Sequence, residues 1–241
     1  LNQIKKKITK SDFVSFDLFE TLIDKTLSKP YDTYDFVNFY LKRDKYIRAR
    51  FEIEKKLIKK TNFTFNYENI IQELIKTKKF KKKECLKIIK KEQDLEIKSI
   101  IPRKEVIDLV VFAKRLKKKI ILTSDTWHNK YFVKKILQSL KLDIFDRIYL
   151  SSEEKYSKYN GEIYNLITKE NKGKILHIGD NFISDYQNAK KKKIQSALIP
   201  SLDELILNSK FSGIYAYNQN IFSKLALGMI IKKISKILYL C

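Results

Sequence analysis

The chain is poor in the residues that cross-link and punctuate proteins: among its 241 residues are 2 Cys, 5 Gly, 3 Pro, 1 Met and 1 Trp. Cys85 and Cys241 are too few and too far apart in sequence for a disulfide framework or a metal knuckle. Such sparing use of cysteine fits a reducing compartment, and a cytoplasmic location is expected. With so little Gly and Pro, little interrupts helices, and long ones are expected. No stretch approaches 18 consecutive apolar residues, so a membrane-spanning helix is not expected. Residues 1–16 lack the apolar segment of a signal peptide, so export is not expected.

Arginine is scarce too. Of 51 basic side chains only 6 are Arg and 45 are Lys, in a chain of formal net charge +23. That charge invites a nucleic-acid partner, but bidentate recognition of bases and phosphates favours Arg, and no basic motif interleaved with aromatics of the RNA-binding type appears. No nucleic-acid binding is expected. A lysine surplus of this kind points to biased codon usage, and runs such as Lys81-Lys82-Lys83 and Lys190 to Lys193 read as solvated faces.

What is present is apolar patterning. An apolar content of 44% is enough for a substantial core. Tyr34 to Tyr40, Tyr46 to Lys59, Tyr67 to Thr77 and Lys82 to Ile100 carry apolar residues at three- and four-residue spacing, which predicts amphipathic helices and no strand between about residue 30 and residue 101. Asp32-Thr33 and Asn66 are candidate caps, and Pro102 marks the exit from the last helix. From Lys104 onward helices (106–116, 129–140, 161–169, 184–192) alternate with strands (119–124, 147–151, 174–180, 194–199), which predicts βαβ units around a parallel sheet. Ile221 to Leu240 form a last amphipathic helix with lysines on one face, suited to packing on the domain, to a partner, or to an anionic membrane surface.

Three strand ends carry chemistry. Phe13-Val14-Ser15-Phe16-Asp17 delivers an aspartate, followed by Phe19 and Thr21. Ile120-Ile121-Leu122-Thr123-Ser124-Asp125 ends in hydroxyls. Ile175-Leu176-His177-Ile178-Gly179-Asp180 ends in a Gly-Asp turn, with Asp185 five residues on. One aspartate closing a strand is an ordinary turn former. Carboxylate, hydroxyl and paired carboxylates on three strands of one parallel sheet suggest a phosphate and metal site, because ligands of such sheets bind at the carboxyl ends of the strands.

These segments, with a lysine near Lys158, resemble the four motifs of the haloacid dehalogenase (HAD) superfamily over roughly residues 10 to 200. In wording they are most similar to the HAD-like hydrolases found beside glycosyltransferases in bacterial surface-polysaccharide clusters. The resemblance implies an α/β, Rossmann-like core with a parallel sheet, formed by residues 1–28 and 103–205, an all-helical cap over 29–102 after the first strand, and a C-terminal helical extension over 206–241. It implies a phosphatase acting on a small phosphorylated metabolite, such as a sugar or amino-alcohol phosphate, through an aspartyl phosphate on Asp17. Mg²⁺ would be held by the Asp17 carboxylate, the Phe19 carbonyl and Asp180, with Asp185 ordering its water shell. Thr123, or its neighbour Ser124, would meet a phosphate oxygen, and Asn181 would contact substrate. Lys158, three residues before Gly161, fits the motif lysine, with Lys155 as the alternative. A glycosyltransferase or membrane contact would fall to the C-terminal helix.

One position departs from the phosphatase pattern. Most such enzymes place a second aspartate two residues after the nucleophile as general acid and base, worth about 10²–10⁴-fold. Here that position is Phe19. Glu20 is adjacent, but on an extended segment its side chain points to the other face. A non-catalytic HAD-fold binding domain is therefore a competing expectation. A metal-free dehalogenase ranks lower, because that chemistry has no use for the Asp180 and Asp185 pair. Asp125 is expected to cap the following helix. Arg48, Arg50, Glu52 and Glu96 on the insertion helices read as solvated salt bridges rather than substrate anchors. His177 reads as a core histidine, and His128 as a candidate substrate contact.

Overall fold

The computed structural model describes residues 1–25, 35–37, 39, 46–210, 212–213 and 230. The expected caps at Asp32-Thr33 and, apart from Ile230, the expected C-terminal helix lie outside them. Strand β1 (Phe13–Phe16) is followed by two short strands, β2 (Ile23–Lys25) and β3 (Ile100–Pro102), which pair with each other; then come β4 (Lys119–Ser124), β5 (Arg147–Leu150), β6 (Ile175–Gly179) and β7 (Gln195–Leu198). The main sheet has five strands in the order β5-β4-β1-β6-β7, with every neighbouring pair parallel. Its strands are buried nearly throughout, which is why they read as continuous apolar runs in the sequence.

The chain runs outward from central β1 to β4 and β5, then crosses back to β6 and β7 on the other side. That reversal puts the topological switch point beside β1, at the carboxyl ends of the strands, where sheets of this kind bind ligands. Register fixes what lies there: Phe16 lies opposite Leu122 on one neighbour and Ile178 on the other, so Asp17, Thr123 and Gly179 stand at one level at the strand ends. Between strands, helices bury regular apolar faces, such as Val106, Leu109, Val110 and Ala113 of Lys104–Arg115 and Phe132, Val133, Ile136 and Leu137 of Lys130–Ser139. A cluster of Ile121, Tyr149, Ile163, Tyr164, Ile167, Ile175, Ala189 and Ile194 fills one side of the sheet.

The described chain forms two compact units. One comprises Leu1–Ile23, Ile58–Asn66 and Pro102–Pro200 and contains the sheet; the other comprises the described residues of Asp24–Leu57, Tyr67–Ile101 and those after Pro200. The second unit is helical apart from the short pairing of β2 and β3, which the periodicity reading missed because a three-residue strand has too little length to show alternation. Its helices Tyr67–Lys76 and Lys82–Ser99 bury Ile70, Ile71, Leu74, Cys85, Ile88 and Ile89.

The salt-bridge expectation needs correcting there. Arg48 and Glu52 are exposed, but Arg50 is fully buried, 3.1 Å from Glu54 and 3.4 Å from Glu92, and buried Glu96 pairs with Lys25 at 2.6 Å. Tyr46 donates to Glu92. Burial pushes the Glu92 carboxyl well above the usual carboxylate range, and the neighbouring charge of Glu96 adds to it. These are desolvated pairs, in which losing one partner strands a buried charge. No helix among the described residues is long and apolar enough to cross a membrane.

Candidate active site

Every residue of the site belongs to the sheet-containing unit. Asp17 follows β1 directly, its amide donating to the Ile178 carbonyl at 2.9 Å. Three carboxylates converge: Asp17, Asp180 and Asp185 each offer an oxygen, and all three oxygens lie within 4.8 Å of one another. A single ammonium serves two of them, Lys158 Nζ standing 2.8 Å from Asp17 Oδ1 and 2.6 Å from Asp185 Oδ1. Thr21 donates to Asp180 Oδ1 at 2.9 Å, and the Asn181 amide donates to Asp185 Oδ2 at 2.9 Å. Gly179 is required by this closeness, since a Cβ there would sit 2.3 Å from Asp185 Cγ.

Crowding of carboxylates shows in their ionisation. Burial raises the Asp17 carboxyl to about 8; Lys158 opposes this, while Asp185 and Asp180 add to it. Asp180 rises to about 7, first from burial, then from the charges of Asp185 and Glu20. Burial would raise Asp185 as well, but Lys158 and His177 outweigh it and hold that carboxyl below its ordinary value. Lys158 is held firmly charged, because Asp17, Asp185 and Asp125 together overcome the cost of its burial. With three acids against one ammonium, the site has anionic oxygens to spare. This hard-oxygen set suits a divalent cation such as Mg²⁺.

The structure separates the candidates. Lys158 reaches Asp17, whereas Lys155 donates to the Ser152 carbonyl. Thr123 is fully buried and its hydroxyl lies 2.8 Å from that of Ser15. Ser124, at the tip of β4, is engaged by no other described side chain. Asn181 caps the π-helical turn Phe182–Gln187, its side-chain oxygen accepting from the amides of Ile183 and Ser184. Phe19 lies with its ring 5.9 Å from that of His128, which stacks on Phe132 at 4.3 Å. His128 is thus buried in an aromatic layer with Trp127, itself stacked on Phe65 at 6.0 Å.

Two expectations are overturned. Asp125 does not cap the next helix, because that helix begins only at Lys130 and Asn129 caps it by accepting from Phe132 N at 2.9 Å. Asp125 instead accepts from the amides of Lys158 and Tyr159 at 2.8 and 2.9 Å, so it holds the lysine loop. Burial raises this carboxyl to about 6 against the pull of Lys158 and the two amides. Glu20 is not on an extended segment: the strand stops at Phe16 and Glu20 takes φ +59°, so the alternation of a strand does not apply. Its charge reaches Asp180.

The sequence reading missed Ser15, while His177 is the core histidine it expected. His177 is buried, with Nδ1 2.9 Å from Ser15 Oγ and Nε2 3.0 Å from Asp185 Oδ1. Strand alternation puts Ser15 on the same face of β1 as Asp17, and the sheet register sets His177 beside it.

Comparisons with known proteins agree with this fold. The family model of haloacid dehalogenase-like hydrolases matches residues 12–191. Among solved structures, a 2-haloacid dehalogenase from Pseudomonas syringae pv. Tomato DC3000 superposes with a TM-score of 0.58 at 12% identity, over 87% of this chain and 89% of that one. A HAD family enzyme from Bacteroides thetaiotaomicron, in complex with magnesium and inorganic phosphate, gives 0.54 at 16% identity over 85% of this chain and 98% of that one. A putative beta-phosphoglucomutase from Thermotoga maritima gives 0.51 at 17% identity over 95% and 98%. No curated protein sequence matches significantly. At such identities the structural likeness shows the fold.

Proposed function

The chain belongs to the haloacid dehalogenase-like hydrolase family, and from that premise we propose that it is a Mg²⁺-dependent phosphatase, acting on a small phosphomonoester through an aspartyl phosphate on Asp17. One observation carries this reading: Lys158 bridges Asp17 and Asp185 while Asp180 completes a triad of carboxylate oxygens within 4.8 Å. Asp17, Asp180 and Asp185, with the Phe19 carbonyl, would hold the cation. When bound, the cation offsets the repulsion between the substrate and the attacking carboxylate.

Asp17 is the nucleophile, a carboxylate fixed at a strand end and paired with an ammonium that also faces the incoming phosphoryl group. A phosphate oxygen falls to Thr123, level with Asp17 at the end of β4, or to its neighbour Ser124; in the Ser15–Thr123 contact at 2.8 Å either hydroxyl can be the donor. Asp125 keeps Lys158 in place by gripping its backbone. Phe19, packed on His128, gives the leaving oxygen no proton. Substrates whose leaving groups depart readily as anions are therefore preferred. The setting in surface-polysaccharide synthesis, the cytoplasmic location and any glycosyltransferase or membrane partner rest on the sequence reading.

Phe19 favours a second reading, in which Asp17 displaces halide from a 2-halo acid without a metal. The Asp180–Asp185 pair argues against it. A phosphate-release screen over sugar, amino-alcohol and acyl phosphates, with and without Mg²⁺, tests the assignment. Release that needs Mg²⁺ supports it; halide release that survives chelator would replace it, and no turnover of any kind would leave a binding domain.

A further inference from the structure

A run of aromatic rings begins and ends at the carboxylates. Phe19, two residues after Asp17, lies 5.9 Å from the His128 ring; His128 lies 5.9 Å from Trp127, and Trp127 stacks on Phe65 at 6.0 Å. Two residues before Phe65, Phe63 meets Tyr159 at 5.3 Å, and Tyr159 adjoins Lys158, whose ammonium returns to Asp17 at 2.8 Å. All of these rings belong to the sheet-containing unit.

The two rings nearest Lys158 are held rigidly. Phe63 takes φ +69° next to Asn62 at φ +49°, a left-handed backbone that Asn tolerates and a bulky side chain does not favour. The turn is pinned there, because the amide and the hydroxyl of Thr64 both donate to the Thr61 carbonyl, at 3.1 and 2.7 Å. Tyr159 is fixed on both sides of its backbone: its amide donates to Asp125 at 2.9 Å and its carbonyl accepts from Asn188 Nδ2 at 2.8 Å. Yet Tyr159 is 52% exposed, and Phe63 and Trp127 are only half-buried. Strained backbone of this kind clusters at ligand clamps. Rigid rings with free faces suit another ring, which they meet stacked or edge-on.

We propose that Phe63 and Tyr159 determine specificity, forming with Trp127 an aromatic clamp on a planar leaving group, so that the substrate is an aryl phosphate; this rests on the phosphatase reading of the same site. Ring faces give a flat apolar group its contacts and give the hydroxyls of a sugar few hydrogen bonds. Phe19 supplies no proton, and an aryl oxide needs none to depart. As Asp17 takes the phosphoryl group, the bond from phosphorus to the aryl oxygen breaks with its electron pair on that oxygen, and the aryl oxide then takes a proton from water. A short acyl phosphate leaves as readily but presents no ring to these faces.

The test is calorimetric binding to the full chain with Mg²⁺ present, using phosphonates, whose carbon–phosphorus bond is not hydrolysed. Phenylphosphonate should bind at least about threefold tighter than methylphosphonate, and it should shift the emission of Trp127, the single tryptophan of the chain. Phe63→Gly, which keeps the left-handed backbone, and Tyr159→Ala should each weaken phenylphosphonate binding about 3–10-fold. Both should leave methylphosphonate and inorganic phosphate at wild-type affinity, whereas a merely structural role would lower all three together. Equal wild-type affinity for the two phosphonates, or a parallel loss of all three anions in both variants, would overturn the clamp while the Mg²⁺-dependent binding of phosphate upheld the phosphatase reading. If the wild type bound none of the three anions, that reading would fall and the clamp with it.

Discussion

Gly179 and Phe19 show how much single side chains decide here. The place of a Cβ on Gly179 is taken by Asp185, whose Cγ would lie 2.3 Å away. We predict that Gly179→Ala costs about 1–3 kcal/mol of stability, as overpacking does, and displaces Asp185 enough to abolish Mg²⁺ binding. Urea unfolding with calorimetry checks this, and wild-type values in both would contradict it. Phe19 leaves the departing oxygen without a proton donor, so rates should climb steeply as the leaving-group pKa falls, with aryl and acyl phosphates far ahead of alkyl phosphates. Kinetics over a graded series of aryl phosphates would reveal a flat dependence if an acid were present. Glu20→Gln would then be the first variant to make, because the left-handed turn at Glu20 brings its charge to Asp180.

At the scale of elements, the site is three strand ends plus two devices that return side chains to them. One is the π-helical turn Phe182–Gln187, which brings Asp185 back over Gly179; the other is the loop before Gly161, tied to Asp125 through two amides. Cutting that tie in Asp125→Ala should lower kcat about a hundredfold, the cost of misplacing a catalytic group by about 1 Å. Activity within twofold of wild type would show that the loop is held otherwise. The strands of the main sheet and most helices were legible in the sequence because buried parallel strands read as apolar runs and amphipathic helices keep their 3.6-residue period. The N-terminal helix Asn2–Thr9 was not, since only Ile4 and Ile8 mark its buried face. Nor were the grip of Asp125 on Lys158, 33 residues away, and the bond between Ser15 and His177, 162 residues apart, because local pattern carries no record of such pairings.

For the whole molecule, the raised carboxyls near 8 and 7 couple folding to pH and to metal. An acid whose pKa is higher in the folded than in the unfolded chain favours folding while protonated and loses that contribution as pH rises through the folded value. In chelator, stability should thus decline between about pH 4 and pH 8 on account of Asp17 and Asp180. Asp185, held low, and Lys158, held charged, do not change ionisation in that window. Mg²⁺ should reverse the decline and release protons on binding. Thermal unfolding at pH 5.5 and 8.5, with Mg²⁺ or with chelator, checks this; a metal-independent profile would contradict it. The central claim, that Asp17 is a phosphoryl-accepting carboxylate beside a cation, is tested most directly without knowing the substrate. Beryllium fluoride with Mg²⁺ mimics an aspartyl phosphate, so the melting temperature of the wild type should rise only when both are present, each tenfold excess over the dissociation constant adding about 1.4 kcal/mol. The rise should vanish in Asp17→Ala. A wild type that does not respond, or a response that survives in Asp17→Ala, would contradict the account.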